Sequence, residues 1–377
     1  MKGLYIHIPF CDHICTYCDF PKLYGDLALQ DDYLEALLEE LQMYRQKQGF
    51  DSLETVYLGG GTPTALSDAQ LKRLLEELKK TINLPGLKEF SIEANPENLT
   101  AEKISLLLDY GINRVSLGVQ TFDDGLLKII GRTHSAASAE TAVLMLKERG
   151  MPRINIDLIY GIPGQTLAQL DRDLEIVIRL GVDHVSAYSL ILEKHTKMYL
   201  DYMNDRLDLA DNEVEAQMFE RVIETFKKSG FSHYEISNFT KADPSYHNLL
   251  YWQNAGYIGA GLGAHGYIGN RRYSNTRSIT SYIRNVRKGN LPMISEEELD
   301  LYQQVEEELF LGLRLLGGVD LKKAGEKFRI DLGELYKKPL MELISGQYII
   351  QKGSRIALTH KGLLMANLVF EQFLLSE

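Results

Sequence analysis

Outside one eight-residue stretch the sequence has no cysteine, and its three thiols, Cys11, Cys15 and Cys18, all lie inside that stretch. An odd cluster with no distant partner excludes a disulfide framework and reads as metal binding or catalysis. Long apolar runs are missing too: none reaches the roughly 18 residues of a spanning helix. Met1–Phe10 is too short and too interrupted for a secretory leader. The expected setting is therefore the cytoplasm, without a membrane span. A basic surplus is also absent, since 41 Lys and Arg face 52 Asp and Glu for a net charge of −11. A chain this acidic repels a phosphate backbone, so nucleic acid is not an expected partner. Tryptophan occurs once, at Trp252.

What is present is ordinary for a globular protein, with 45% apolar and 25% charged residues in 377. That length has room for two or three domains of roughly 150 residues. Short β-branched or aromatic runs, Leu4–Phe10, Thr55–Leu58, Glu89–Glu93, Arg114–Val119, Arg153–Tyr160 and His184–Leu192, read as strands. Helical patterns such as Asp31–Gln48 and Leu66–Asn83 separate them. Ser67 with Gln70, and Thr166 with Gln169 ahead of Leu170–Leu180, have capping-box spacing. The alternation predicts an α/β fold with a parallel sheet. Unusual residues stand at or just beyond nearly every strand's C-terminal end: the cysteines, Gly59–Thr64, Glu93–Pro96, Gln120, and Asp157 inside the fifth strand. A barrel gathers such ends at one mouth, so a partial (β/α)6 TIM-like barrel is favoured over an open sheet. It is expected over 1–230. An aromatic- and Gly-rich extension with His233, His247 and His265 follows over 231–292. A last module over 293–377, with helices Leu301–Leu316, Leu321–Phe328 and Asp331–Ser345 and a hairpin turning at Gly353, looks winged-helix-like.

Cys11-x3-Cys15-x2-Cys18 places three thiolates within reach of one inorganic centre. Cubane clusters normally take four thiolates, so three leave one iron open. A structural zinc completed by His7 or His13 is the alternative.

With Tyr17 before the third cysteine, this spacing resembles the signature of the radical S-adenosylmethionine superfamily. Tyr5–Cys11 through Cys18-Asp19-Phe20 is similar to its coproporphyrinogen-dehydrogenase-like branch. Gly59–Thr64, Glu93-Ala94-Asn95-Pro96, Ser116–Phe122, Gly131–His134 and Asn155–Gly164 follow in order. The resemblance implies a [4Fe–4S] cluster on Cys11, Cys15 and Cys18, with S-adenosylmethionine on the open iron. It implies that Tyr5 lies against that cofactor and that Gly60, Gly61 and Thr62 present backbone to its methionine part. Glu93, Gln120, Arg132 and Asp157 would fix its carboxylate, sulfonium and ribose.

Two readings divide the branch. The oxygen-independent coproporphyrinogen III dehydrogenases decarboxylate porphyrinogen propionates, and usually carry a further cysteine where this chain has Phe20, and a longer segment before the cluster. The HemW haem chaperones resemble them but deliver haem to acceptor proteins. His247-Asn248-Leu249-Leu250-Tyr251-Trp252 matches the H-N-x-x-Y-W motif of the chaperone branch. The resemblance therefore implies haem as cargo, with His247, Tyr251 and Trp252 as its site and His265 a second candidate ligand. Arg271, Arg272 and Arg277 are either propionate partners or a solvated charge run. Cluster and S-adenosylmethionine would then chiefly shape, dimerise or regulate a chaperone rather than a turning-over enzyme. A homodimer and peripheral contact with membrane haem proteins are compatible with this. An RNA-modifying radical enzyme is a third class, disfavoured by the acidic balance.

Overall fold

The computed structural model describes residues 1–375. Its centre is six strands, β1 Gly3–Ile8, β2 Thr55–Gly60, β3 Glu89–Ala94, β4 Arg114–Gln120, β5 Ile154–Tyr160 and β6 His184–Ser189. Each pairs in parallel with the next in chain order. This is the arrangement expected for a partial barrel, since parallel neighbours need helical crossovers. The crossovers include Leu27–Gln48, Asp68–Thr81, Ala101–Asp109, Ala136–Glu148 and Leu167–Leu180. The expected capping boxes form at Ser67/Gln70 and Thr166/Gln169.

Strand periodicity sorts the side chains onto two faces. Leu4, Ile6, Val56, Leu58, Ile92, Val115, Leu117 and Ile156 pack against helix residues such as Leu34, Leu37, Leu74 and Leu107 in one continuous core. The other face carries Tyr5, His7, Thr55, Tyr57, Glu93, Ser116, Asn155 and Asp157, a polar lumen. Its deep end is closed by hydrogen bonds: Asn155 Nδ2 donates to Ser116 Oγ at 2.7 Å and to Ser186 Oγ at 3.0 Å.

The barrel does not close on itself. The segment beyond Phe231 instead extends both sheet edges. β7 Ser232–Glu235 and β8 Asn238–Thr240 add antiparallel strands beyond β6, and β9 Tyr257–Ala260 joins β1 in parallel. β10 His265–Ile268, β11 Arg271–Asn275 and β12 Met293–Glu298 complete a 12-stranded sheet. The segment 231–292 is thus divided between the two edges, and β12 carries the sheet past residue 292, where the last module was expected to start.

That module has its own core, with Val305, Leu309, Leu321, Tyr336, Ile356 and Phe373 among its members. Its helices are Leu301–Leu313, Leu321–Phe328, Leu332–Leu335 and Lys337–Ser345, followed by the hairpin Ile349–Lys352 and Arg355–Leu358. No helix among the described residues is long and apolar enough to cross a membrane.

Candidate cofactor site at the barrel mouth

The loop after β1 carries the three cysteines, all free and partly buried. Neighbouring strand ends hold it in place. Thr62 Oγ1 donates to Cys11 Sγ at 3.6 Å and accepts from Asn95 Nδ2 at 3.0 Å. Arg132 Nη1 donates to Cys15 Sγ at 3.5 Å, while Nη2 reaches Asn95 Oδ1 at 2.8 Å and the Gly118 carbonyl at 2.5 Å. One guanidinium thus ties the cluster loop to the ends of β3 and β4, a use of its fixed fork of donors that a lysine could not reproduce. Burial pushes the Cys11 thiol up to about 11 and raises that of Cys18. Without a bound cation these two thiols are therefore held protonated.

Gly61 is the close approach. A Cβ there would lie 2.8 Å from the Phe10 carbonyl oxygen and 2.9 Å from Cys11 Sγ, so the backbone runs where a side chain would stand. Gln120 ends β4 in the left-handed region, at φ 70°, where the register with β5 shifts. Its amide turns back to Gly118 beside Asn95 and Arg132. A non-glycine residue in that region costs energy, and such strain concentrates at functional sites.

Below the cysteines the lumen holds two carboxyl groups, Glu93 and Asp157, with the buried Arg114 guanidinium acting on both. Glu93 accepts from the Gly60 amide at 2.9 Å and from Tyr57 Oη at 3.0 Å. Burial still pushes its carboxyl up to about 7, with Asp157 adding repulsion. Asp157 accepts from Ser116 Oγ at 3.0 Å and Asn155 Nδ2 at 2.7 Å, and is also raised by burial. Tyr5 stacks on Tyr57, and its hydroxyl meets His7 Nδ1 at 3.0 Å. His7 Nε2 binds the Pro21 carbonyl at 2.7 Å, pinning the far end of the cysteine loop. His7 is thereby committed to the loop's backbone, away from the zinc role considered for it. The structure holds three thiols, a guanidinium against one of them, a side-chain-free cradle and two buried carboxylates around one opening. That donor set fits an incompletely ligated iron–sulfur centre with a cationic, hydroxyl-bearing partner.

Residues 5–177 match the Radical SAM superfamily, and residues 299–365 match the HemN C-terminal domain. The Heme chaperone HemW of Bacillus subtilis is 43% identical over 376 residues, covering 99% of each chain. The protein of that name from Lactococcus lactis is 42% identical, covering all of this chain and 98% of its own. The chain belongs to the HemW family. Among solved structures, the coproporphyrinogen III oxidase HemN of Escherichia coli superposes with a TM-score of 0.85 at 22% identity, over 99% of this chain and 90% of that one. At that identity the likeness speaks for the fold, including the C-terminal module.

The residues considered for haem are placed very differently from the mouth. The HemW-type motif forms the helix Tyr246–Trp252, capped by Ser245. His247 is 1% exposed. Its Nδ1 meets Thr55 Oγ1 at 2.7 Å and its Nε2 meets Tyr251 Oη at 2.8 Å, so neither ring nitrogen is free in this conformation. The geometry shows a packed, hydrogen-bonded histidine. Tyr251 packs edge-on against both His247 and Tyr257. Trp252 lies under the Arg314 guanidinium, 4.2 Å from ring to cation, at the junction with the C-terminal module.

The three arginines separate. Arg271 pairs with Glu296 and Glu298 at the surface, and Arg272 donates twice to Glu307 at 2.7 Å. Arg277 is exposed and makes no ion pair among the described residues. It lies beside Gly263 together with Pro21 of the cysteine loop. His265 is exposed at the start of β10, and its imidazole pKa is lowered from its ordinary value by partial burial and then by the nearby Arg277 and Arg272. Tyr57, which donates to Glu93, and Asn95, which bonds Thr62 and Arg132, belong to the site although neither was assigned a role there from the sequence. The signal for Tyr57 was available, because period-2 alternation places Thr55, Tyr57 and Gly59 on one face of β2.

Proposed function

We propose that the protein is a haem chaperone: it holds a [4Fe–4S] cluster and S-adenosylmethionine at the barrel mouth, binds haem and passes it to acceptor proteins. The observation that carries this is the near-complete, 43% identical match to a haem chaperone of Bacillus subtilis. The cluster would sit on Cys11, Cys15 and Cys18, with one iron open to the cofactor's amino and carboxylate groups. Arg132 orients Cys15 and neutralises charge gathered there. Thr62 and the backbone of Gly60–Gly61 close round Cys11, while Glu93 and Asp157 suit a sulfonium and ribose hydroxyls. Gln120 and Tyr5 line the same opening. The cofactors serve to shape or regulate the carrier, in the cytoplasm, where thiols stay reduced.

The resemblance puts haem at His247–Trp252, but there the imidazole would first have to leave Thr55 and Tyr251. His265 is open to iron as it stands, and Arg277 beside it suits a propionate. The geometry favours iron on His265. Haem titration of wild type, His265→Ala and His247→Ala, followed at the Soret band, tests it. Loss of the ligated spectrum in His265→Ala with an unchanged His247→Ala supports the assignment. The reverse result moves iron to the His247 segment. A wild-type protein that retains no haem defeats the chaperone reading.

A further inference from the structure

We propose that His247 is a positioning residue for the cofactor site, its ring holding Tyr57 in place to donate to Glu93. The proposal rests on the reading that Glu93 faces S-adenosylmethionine.

The helix Tyr246–Trp252 lies under the barrel floor and is anchored at both ends. At its start, Glu89, the first residue of β3, accepts from the Tyr246 amide at 2.7 Å and from Ser245 Oγ at 3.1 Å. At its end, Trp252 is covered by Arg314, which lies 3.6 Å from the buried Glu235. A helix fixed at both ends presents His247 to the lumen in one orientation. The bonds to Thr55 and Tyr251 then set the rotation of the ring.

That ring stacks on Tyr57 with centroids 5.1 Å apart and planes 29° apart. Tyr5 stacks on Tyr57 as well, at 6.1 Å and 27°. The tyrosine is thus held by two rings, and its hydroxyl has one donor position, spent on Glu93. The other Glu93 oxygen receives the Gly60 amide, on the glycine segment that passes Cys11. A line of direct contacts therefore runs from His247 through Tyr57 to Glu93 and Gly60. An iron ligand needs a free ring nitrogen, whereas a positioning ring needs what is seen here: both nitrogens engaged and a face against the residue it steadies.

The test uses the full chain, reconstituted anaerobically, with S-adenosylmethionine as probe and equilibrium dialysis for Kd. Tyr57→Phe keeps the stack and removes the hydroxyl, whereas His247→Ala removes the ring. Each is expected to raise Kd about tenfold or more, the effect of one hydrogen bond to a charged group, at unchanged iron content. His247→Phe restores a ring and is expected to stay within about twofold of wild type. Wild-type affinity in His247→Ala, with Glu93→Gln weakened, overturns the proposal while leaving the site intact. Wild-type affinity in Glu93→Gln overturns the reading of Glu93 and the proposal with it. If His247→Ala does not fold, His247→Leu, which fills the space without a ring, replaces it and decides in the same way.

Discussion

Replacing Glu93 by Gln should make the cofactor-free protein more stable and its cofactor binding worse, and both effects should depend on pH. Burial lifts the Glu93 carboxyl from 4.5 to about 7. A carboxyl raised in the folded state contributes its full share below the unfolded value, near 4.5, and loses it as pH rises through 7. The full difference is at most about 3 kcal/mol, and solvent in the open mouth reduces it to about 2. A chain of 377 residues unfolds with an entropy near 0.8 kcal/mol per kelvin, so the expected shift is about 2–3 °C. Glutamine is isosteric: its Oε1 can still accept from the Gly60 amide, while its Nε2 donates to Tyr57 Oη, whose hydroxyl turns from donor to acceptor. Apo wild type and Glu93→Gln should therefore melt together at about pH 4, and the variant should melt about 2–3 °C higher at pH 8. Taking the difference cancels Glu40, whose carboxyl burial also raises to about 7 and which is unchanged in both proteins. In the wild type, affinity for S-adenosylmethionine should rise with pH as Glu93 ionises, and the variant should bind at least about tenfold more weakly at pH 8. Parallel melting curves across this range would refute the reasoning, because Glu93 would then carry no ionisation cost.

Arg132→Lys should fold but lose iron during anaerobic handling, since one ammonium cannot span Cys15, Asn95 and Gly118; iron retention over time checks this. Gly61→Ala forces a Cβ to 2.8 Å from the Phe10 carbonyl oxygen and 2.9 Å from Cys11 Sγ, so reconstituted iron content should fall with little change in far-UV circular dichroism.

The barrel was legible because its signals are local. Alternation marks β1–β6, capping boxes start two of the helices, and glycine, proline and the cysteines punctuate the strand ends. The pairing of β9 with β1 left no such trace, because some 250 residues separate them and periodicity carries no information about partners. β12 escaped notice for a different reason. Met-Ile-Ser-Glu-Glu-Glu is largely exposed along its length, so it has no apolar alternation to read. At the site, residue types named the participants but not their contacts. Nothing in the spacing shows that Arg132 spans Cys15 and Asn95, or that His247 turns both nitrogens inward.

Iron and acid-labile sulfide analysis of the anaerobically reconstituted protein, beside Cys15→Ser, tests the central claim most directly. About four irons and four sulfides per chain in the wild type, with most lost in the variant, are what three thiolates at this mouth require. One zinc per chain with no labile sulfide would contradict it.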